Sequence, residues 1–227
     1  MRDARRVLWN ENQKALRLAL TYPEQYGNGL ELFREQHGWV HAAGVAEKGA
    51  PTFEDEVWVG LSESAARTVP PGGEHSIAWM TWHITRVEDL TMNLLIAGEE
   101  QVYTRDGWRA RLRTGVVDTG NAMDAQEVTT FSTSVDLAAL REYRLAVGRQ
   151  TRVVAARLGP VEWKQKVLPA RLERIREEGG VADGALGLLA YWGGLTTAGL
   201  LLMPPTRHPF VHWNEALQVR ARLRLGR

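Results

Sequence analysis

The chain has 227 residues, with 28 Lys+Arg against 27 Asp+Glu, 44% hydrophobic residues, six histidines and no cysteine. The missing cysteine excludes a disulfide framework, thiolate-ligated zinc, an iron–sulfur cluster and a cysteine nucleophile. A net charge of +1 argues against a nucleic-acid partner, which normally demands a marked basic excess, and the apolar fraction is too high for disorder. Metal or acid–base chemistry therefore falls to His, Asp and Glu.

In chain order, the periodicity predicts helices almost throughout. Met1 to Arg6 is followed by polar Asn10–Lys14, with no apolar run of the kind a secretory signal needs, so a cytoplasmic setting is expected. Leu8 to Leu20 reads as a helix stopped at Tyr22-Pro23, and Leu30, Phe33, His37 and Val40 mark one face of the next. Lys48 to Pro51 reads as a loop. Thr52 and Asp55 are expected to cap a short helix running to about Arg67, and Val69 to Gly73 breaks the chain.

Ser76 is a plausible N-cap for a helix from Ile77 to about Ala97, ended by Gly98. Residues 98–133 read as an irregular insertion. It holds turn-formers at Asp106-Gly107 and Asp118-Thr119-Gly120-Asn121, and a small helix capped by Asp124 with Glu127. A connection this long is often a lid or binding loop. Thr133 and Ser134 offer caps for a helix whose stripe runs Leu137, Leu140, Arg144, Val147, Thr151, Val154 and Leu158, polar at Arg144 and Thr151. Gly159-Pro160 ends it, and Leu168 to Glu178 forms an amphipathic helix.

Gly184 to Thr206 carries no charge and, as far as Met203, is long enough to span a bilayer. Its glycines and central Tyr191-Trp192 favour a buried core helix bent near Gly193, so no membrane partner is expected. Pro204-Pro205 should break it before a last helix from about Arg207 to Leu225. No strand pattern or repeat is present. The expectation is an all-α chain forming a single domain over residues 1–227, with an extended N-terminal helical region over 1–70.

His83, Val87, Leu90 and Leu94 lie on one helical face, so the His83 imidazole points along apolar surface. His208 and His212 are four apart, one turn from each other, with Pro209 tolerable in the first turn. Such a pair plus one imidazole from a facing helix can cap one face of a divalent ion and leave positions for water or substrate. His-only ligation suits Zn, Ni, Cu or Fe. Core histidines with satisfied hydrogen bonds would show the same spacing, so both readings stand. His37 and His41 form a rival pair, read first as core and boundary histidines, and His75 as a surface or capping residue.

The stretch Ser76-Ile77-Ala78-Trp79-Met80-Thr81-Trp82-His83-Ile84, followed by Glu88-Asp89, resembles the second helix of the DinB-like (YfiT-like) metalloenzyme superfamily. His208-x-x-x-His212 resembles that family's closing motif. The resemblance implies a four-helix bundle of up-down-down-up topology, here with extra short helices and a long connecting loop. It implies a divalent metal on His83, His208 and His212, with Zn or Ni first and Fe or Cu as alternatives. It also implies a homodimer.

Because characterised relatives include thiol-dependent transferases and isomerases, the resemblance points to an enzyme acting on a small-molecule substrate. The metal would activate a low-molecular-weight thiol, in S-transferase or isomerase chemistry, or water, in hydrolysis. The alternative class is a non-catalytic stress-response or small-molecule-binding bundle with a structural or absent metal. Two catalytic candidates follow from helical angles. Glu215, three residues after His212, would orient an imidazole or accept a proton. Arg86, three after His83, would meet an anionic substrate, unless either is simply a salt-bridged side chain. Glu88 and Asp89 project away from His83 and read as surface or interhelix salt-bridge partners.

Overall fold

The computed structural model describes residues 3–46 and 51–225, so Lys48, Gly49 and Ala50 of the expected loop lie outside the described residues. The described residues are mainly helical, with no β-strand among them. Asp3 caps α1 (Ala4–Thr21), which stops at Tyr22 before Pro23 as expected. A turn leads to α2 (Tyr26–Trp39) and a single-turn α3 (Ala43–Ala46). Thr52 and Asp55 form a reciprocal capping box on α4 (Phe53–Trp58). The helix expected to run on to Arg67 is divided. Gly60 takes φ +63°, which ends regular helix, and Ser62 caps a separate α5 (Glu63–Arg67).

Ser76 caps α6 (Ile77–Asp89) by accepting from the Trp79 amide at 3.0 Å. The helix continues over residues 90–97 in wider π-type turns and ends at Gly98, φ +72°, close to the expected limits. The insertion contains α7 (Val102–Arg105), α8 (Trp108–Arg111) and α9 (Ala125–Ser134), the last with the expected Asp124/Glu127 capping box. Thr133 and Ser134 do not cap the next helix; they are the last turn of α9. Asp136 caps α10 (Leu137–Ala156), accepting from the Ala139 amide at 2.9 Å.

The short α11 (Pro160–Trp163) and α12 (Pro169–Glu177) follow, each opening on proline. The uncharged segment breaks after Gly193, into α13 (Gly187–Gly193) and α14 (Thr197–Leu202). It is less buried than expected, with Leu186 and Tyr191 40% and 48% exposed. No helix among the described residues is long and apolar enough to cross a membrane.

Pro204-Pro205 does not break the chain. Residues 203–207 form a wide π-type turn leading straight into α15 (His208–Leu225). The prolines lack N–H donors, and the Thr206 hydroxyl donates instead to the Leu201 and Leu202 carbonyls, at 3.1 and 2.8 Å.

The buried apolar residues form two clusters. Ile77 to Ile84 of α6 and Leu137 to Val147 of α10 contribute to one; Val87 to Ile96 and Val154-Ala155 contribute to the other. Where α6 and α10 pass between them they carry buried polar side chains, Glu88 facing Arg144 and Thr151, and Arg86 and Asp89 facing the Tyr143 hydroxyl. α6 packs against α10 and α15, and α1 packs along α2.

Candidate metal centre

α6 brings His83 against the start of α15, where His208 and His212 lie one turn apart. The three ring centroids are 4.7–5.0 Å from one another, with planes 74–88° apart. His83 Nε2 lies 3.0 Å from His208 Nε2, and each ring offers one nitrogen within 4.8 Å of the others. Three imidazoles thus converge on one point in mutually perpendicular planes. This donor arrangement fits a divalent ion with ligand positions left over.

Two rings are fixed from behind. His83 Nδ1 donates to the Thr119 carbonyl at 2.8 Å, and His212 Nδ1 donates to Glu215 Oε2 at 2.9 Å. A carbonyl or carboxylate accepts only, so both Nδ1 atoms carry the proton and both Nε2 atoms keep a lone pair. Metal-ligating histidines are held in this way. His208 is the exception, because its Nδ1 is buried and meets no acceptor.

Glu215 also accepts from His75 Nδ1 at 3.1 Å. His75 stacks on Trp79 at 3.8 Å, and Trp79 stacks on His83 at 4.7 Å, in nearly parallel planes. His75 is therefore part of the surroundings of the centre and not an incidental surface residue.

Burial, and next the neighbouring His212 ring, push His83 down to about 3, against the opposing hydrogen bond to Thr119. Burial, with His83 and His212, holds His208 well below its ordinary value. Hydrogen bonds from His212 and then His75 pull the Glu215 carboxyl down to about 2. His83 and His208 are thus neutral at pH 7, the form that binds metal, and Glu215 is a carboxylate.

The rival pair has different surroundings. His37 Nε2 lies 3.0 Å from Glu88 Oε1, and His41 Nε2 lies 2.9 Å from Glu88 Oε2, all fully buried. Arg144 Nη1 and the Thr151 hydroxyl donate to the same carboxylate, at 3.1 and 2.7 Å. The Nδ1 atoms of both histidines have no partner. A guanidinium already sits on the carboxylate, and neither imidazole is braced through its far nitrogen. The donors suit a buried hydrogen-bonded knot better than a second metal site. The core reading of His37 and His41 agrees with their burial, and Glu88 is an interhelix partner but not a surface residue.

Arg86 is held by the protein's own groups, as the salt-bridged reading has it, with Asp89 at 3.3 Å. It is 1% exposed and fully engaged with the Val117 carbonyl, Gln101 Oε1 at 2.7 Å and the Tyr143 hydroxyl at 2.9 Å. Asp89 is likewise buried. It accepts from the Val102 and Tyr103 amides at 2.9 Å each, joining α6 to the start of α7. Sequence reasoning missed the Thr119 carbonyl, a backbone group with no sequence signal. The partners of Glu88 did leave one: Arg144 and Thr151 are the two polar breaks in the stripe of α10.

The family model of the DinB superfamily matches residues 55–182, more than half of the chain. The chain belongs to the DinB superfamily. The matched region of this DinB-superfamily protein holds His83, Arg86, Glu88 and the loop bearing Thr119, and ends before His208 and His212. No curated protein matches the chain.

Proposed function

We propose that His83, His208 and His212 hold a divalent metal and that this DinB-superfamily protein is a metal-dependent enzyme acting on a small molecule. The observation that carries the reading is the convergence of three perpendicular imidazoles, two of them fixed through Nδ1 by Thr119 and Glu215. Zinc or nickel suits three imidazoles. The chemistry such an ion supplies is acidification of a bound thiol or water toward neutral pH.

The chain's own residues orient and enclose. Glu215 aims His212, Thr119 aims His83, and Trp79 covers one face of the His83 ring. The chain has no cysteine, so a thiol must arrive with a substrate or cosubstrate. The family resemblance favours this S-transferase or isomerase reading over hydrolysis. The reading also takes in a single domain, supported by α6 and α10 each entering both core clusters. The up-down-down-up order, a cytoplasmic setting and a homodimer rest on the resemblance and on the sequence alone.

Elemental analysis of the purified protein tests the proposal. One equivalent of a transition metal is expected in the wild type and none in His83→Ala. A wild type without stoichiometric metal overturns the reading.

A further inference from the structure

Three consecutive carbonyls of the insertion are held by one face of α6. Arg86 donates to the Val117 carbonyl through Nε at 3.0 Å and Nη2 at 2.9 Å. Trp82 Nε1 donates to the Asp118 carbonyl at 3.0 Å, and His83 Nδ1 to the Thr119 carbonyl at 2.8 Å. Residues 82, 83 and 86 share this face because they are three and four apart. The insertion is thus a strap laid along the metal-site helix, and its Thr119 carbonyl sets which nitrogen of His83 faces His208.

The rest of the strap is braced too. The Thr119 amide donates to the Gly180 carbonyl at 3.1 Å, and the Gly120 amide to Asp118 Oδ1 at 2.6 Å. Gly120 has φ +79°, and a Cβ there would lie 2.9 Å from Trp79 Nε1. A left-handed residue without a side chain lets the strap turn away directly over Trp79.

Resting on the three-histidine reading, we infer that Arg86 is a positioning residue for the metal centre, acting through the Val117–Thr119 strap on the His83 imidazole. Only a guanidinium meets the geometry. Its planar fork serves Val117, Gln101, Tyr143 and Asp89 together, and its Cζ lies 4.3 Å from the Tyr103 ring centroid. Lysine has one nitrogen and cannot reach this set. If Arg86 loosens, the Thr119 carbonyl drifts, and His83 is free to move its proton to Nε2, the atom the metal needs bare.

The test compares Arg86→Lys and Trp82→Phe with wild type. Trp82→Phe removes one strap hydrogen bond and keeps an aromatic ring in the core, so it is the milder of the two changes. Zinc affinity is read by competition with a chromophoric chelator, and the His83 tautomer by nitrogen-15 NMR of the metal-free protein. Zinc affinity is expected to fall about tenfold in Arg86→Lys and severalfold in Trp82→Phe. Both variants are expected to show His83 losing its pure Nδ1–H form. Val154→Ala, in the other core cluster, controls for simple destabilisation and should bind zinc as wild type does.

Unchanged affinity and tautomer in both variants overturn the inference, as does an equal loss in Val154→Ala. If the wild type takes up no zinc, the three-histidine reading fails. The tautomer measurement then still decides whether the strap sets His83.

Discussion

The Nε2 atoms of His83 and His208 lie 3.0 Å apart, a hydrogen-bond distance that in the metal-free protein calls for one shared proton. Since His83 donates through Nδ1 to Thr119, the shared proton belongs to His208, whose Nδ1 is left bare and buried. His208 must give up or move that proton to become a ligand, and on Nδ1 the proton would find no acceptor. His83 and His212 need no such change.

The three ligands should therefore contribute unequally. Alanine at His83 or His212 removes a braced imidazole, and zinc affinity should fall by at least a hundredfold, the upper range for losing even an outer partner of a ligand. His208→Ala should retain the most affinity of the three. Titration of each variant against a competing chelator gives the order, and His208→Ala as the weakest binder would contradict the proton assignment.

Glu215 joins His212 to His75, and its side chain is 36% exposed. Glu215→Gln keeps an acceptor but loses the charge that favours Nδ1–H on His212. Zinc affinity should fall about 10–100-fold, with little change in melting temperature for so exposed a group. A large loss of stability with unaltered metal binding would make Glu215 a structural residue instead.

Some of this was legible in the sequence and some was not. Ser76, His83 and the His208/His212 pair sit at spacings that helical geometry converts directly into shared faces. Spacing puts Arg86 on the His83 side of α6, and a salt-bridged side chain is one of its two readings, met by Asp89 at 3.3 Å, but the Val117 carbonyl leaves no signal. Nothing local shows that the 117–119 backbone covers that face. The insertion reads as a lid because it is long and turn-rich, whereas its carbonyls are spent on α6. The polar breaks at Arg144 and Thr151 were visible, but their common partner Glu88 lies on a helix more than fifty residues away. The split between α4 and α5 falls at Val59 and Gly60, extended and then left-handed, after which Ser62 caps a new helix.

Glu88 accepts from four side chains, His37 of α2, His41 in the turn after it, and Arg144 and Thr151 of α10, with no exposure. Its carboxyl resists the upward push of burial because His41 and His37 face it, and it stays well below the ordinary value. Glu88→Ala leaves the Arg144 guanidinium with Glu54 at 3.1 Å as its one anionic partner, beside the Val40 carbonyl at 3.0 Å, and strands two imidazoles. Breaking a buried pair by removing one partner costs about 3–5 kcal/mol. Urea denaturation should show a loss of that order, and a loss below about 1 kcal/mol would mean that water reaches the knot.

The same knot predicts acid sensitivity well above the carboxylate range. Burial, with the Arg144 cation, pushes His41 down to about 3, and burial lowers His37 as well. In the unfolded chain both titrate near 6.5. Below that pH the unfolded state takes up protons that the folded state refuses, so stability falls with pH. The slope is about 1.4 kcal/mol per pH unit for each fully titrating imidazole. Glu88 acts lower down: its contribution is complete above 4.5, its unfolded value, and is lost as pH falls through its depressed folded value. The melting temperature should therefore decline from about pH 6.5 downward and steepen below about 4.5. His83 and His208, also lowered by burial, add to this decline, so His41→Gln removes one of four imidazoles and should flatten it in part. A pH dependence from 7 to 5 that is the same in His41→Gln as in wild type would show that the knot accepts a proton without cost.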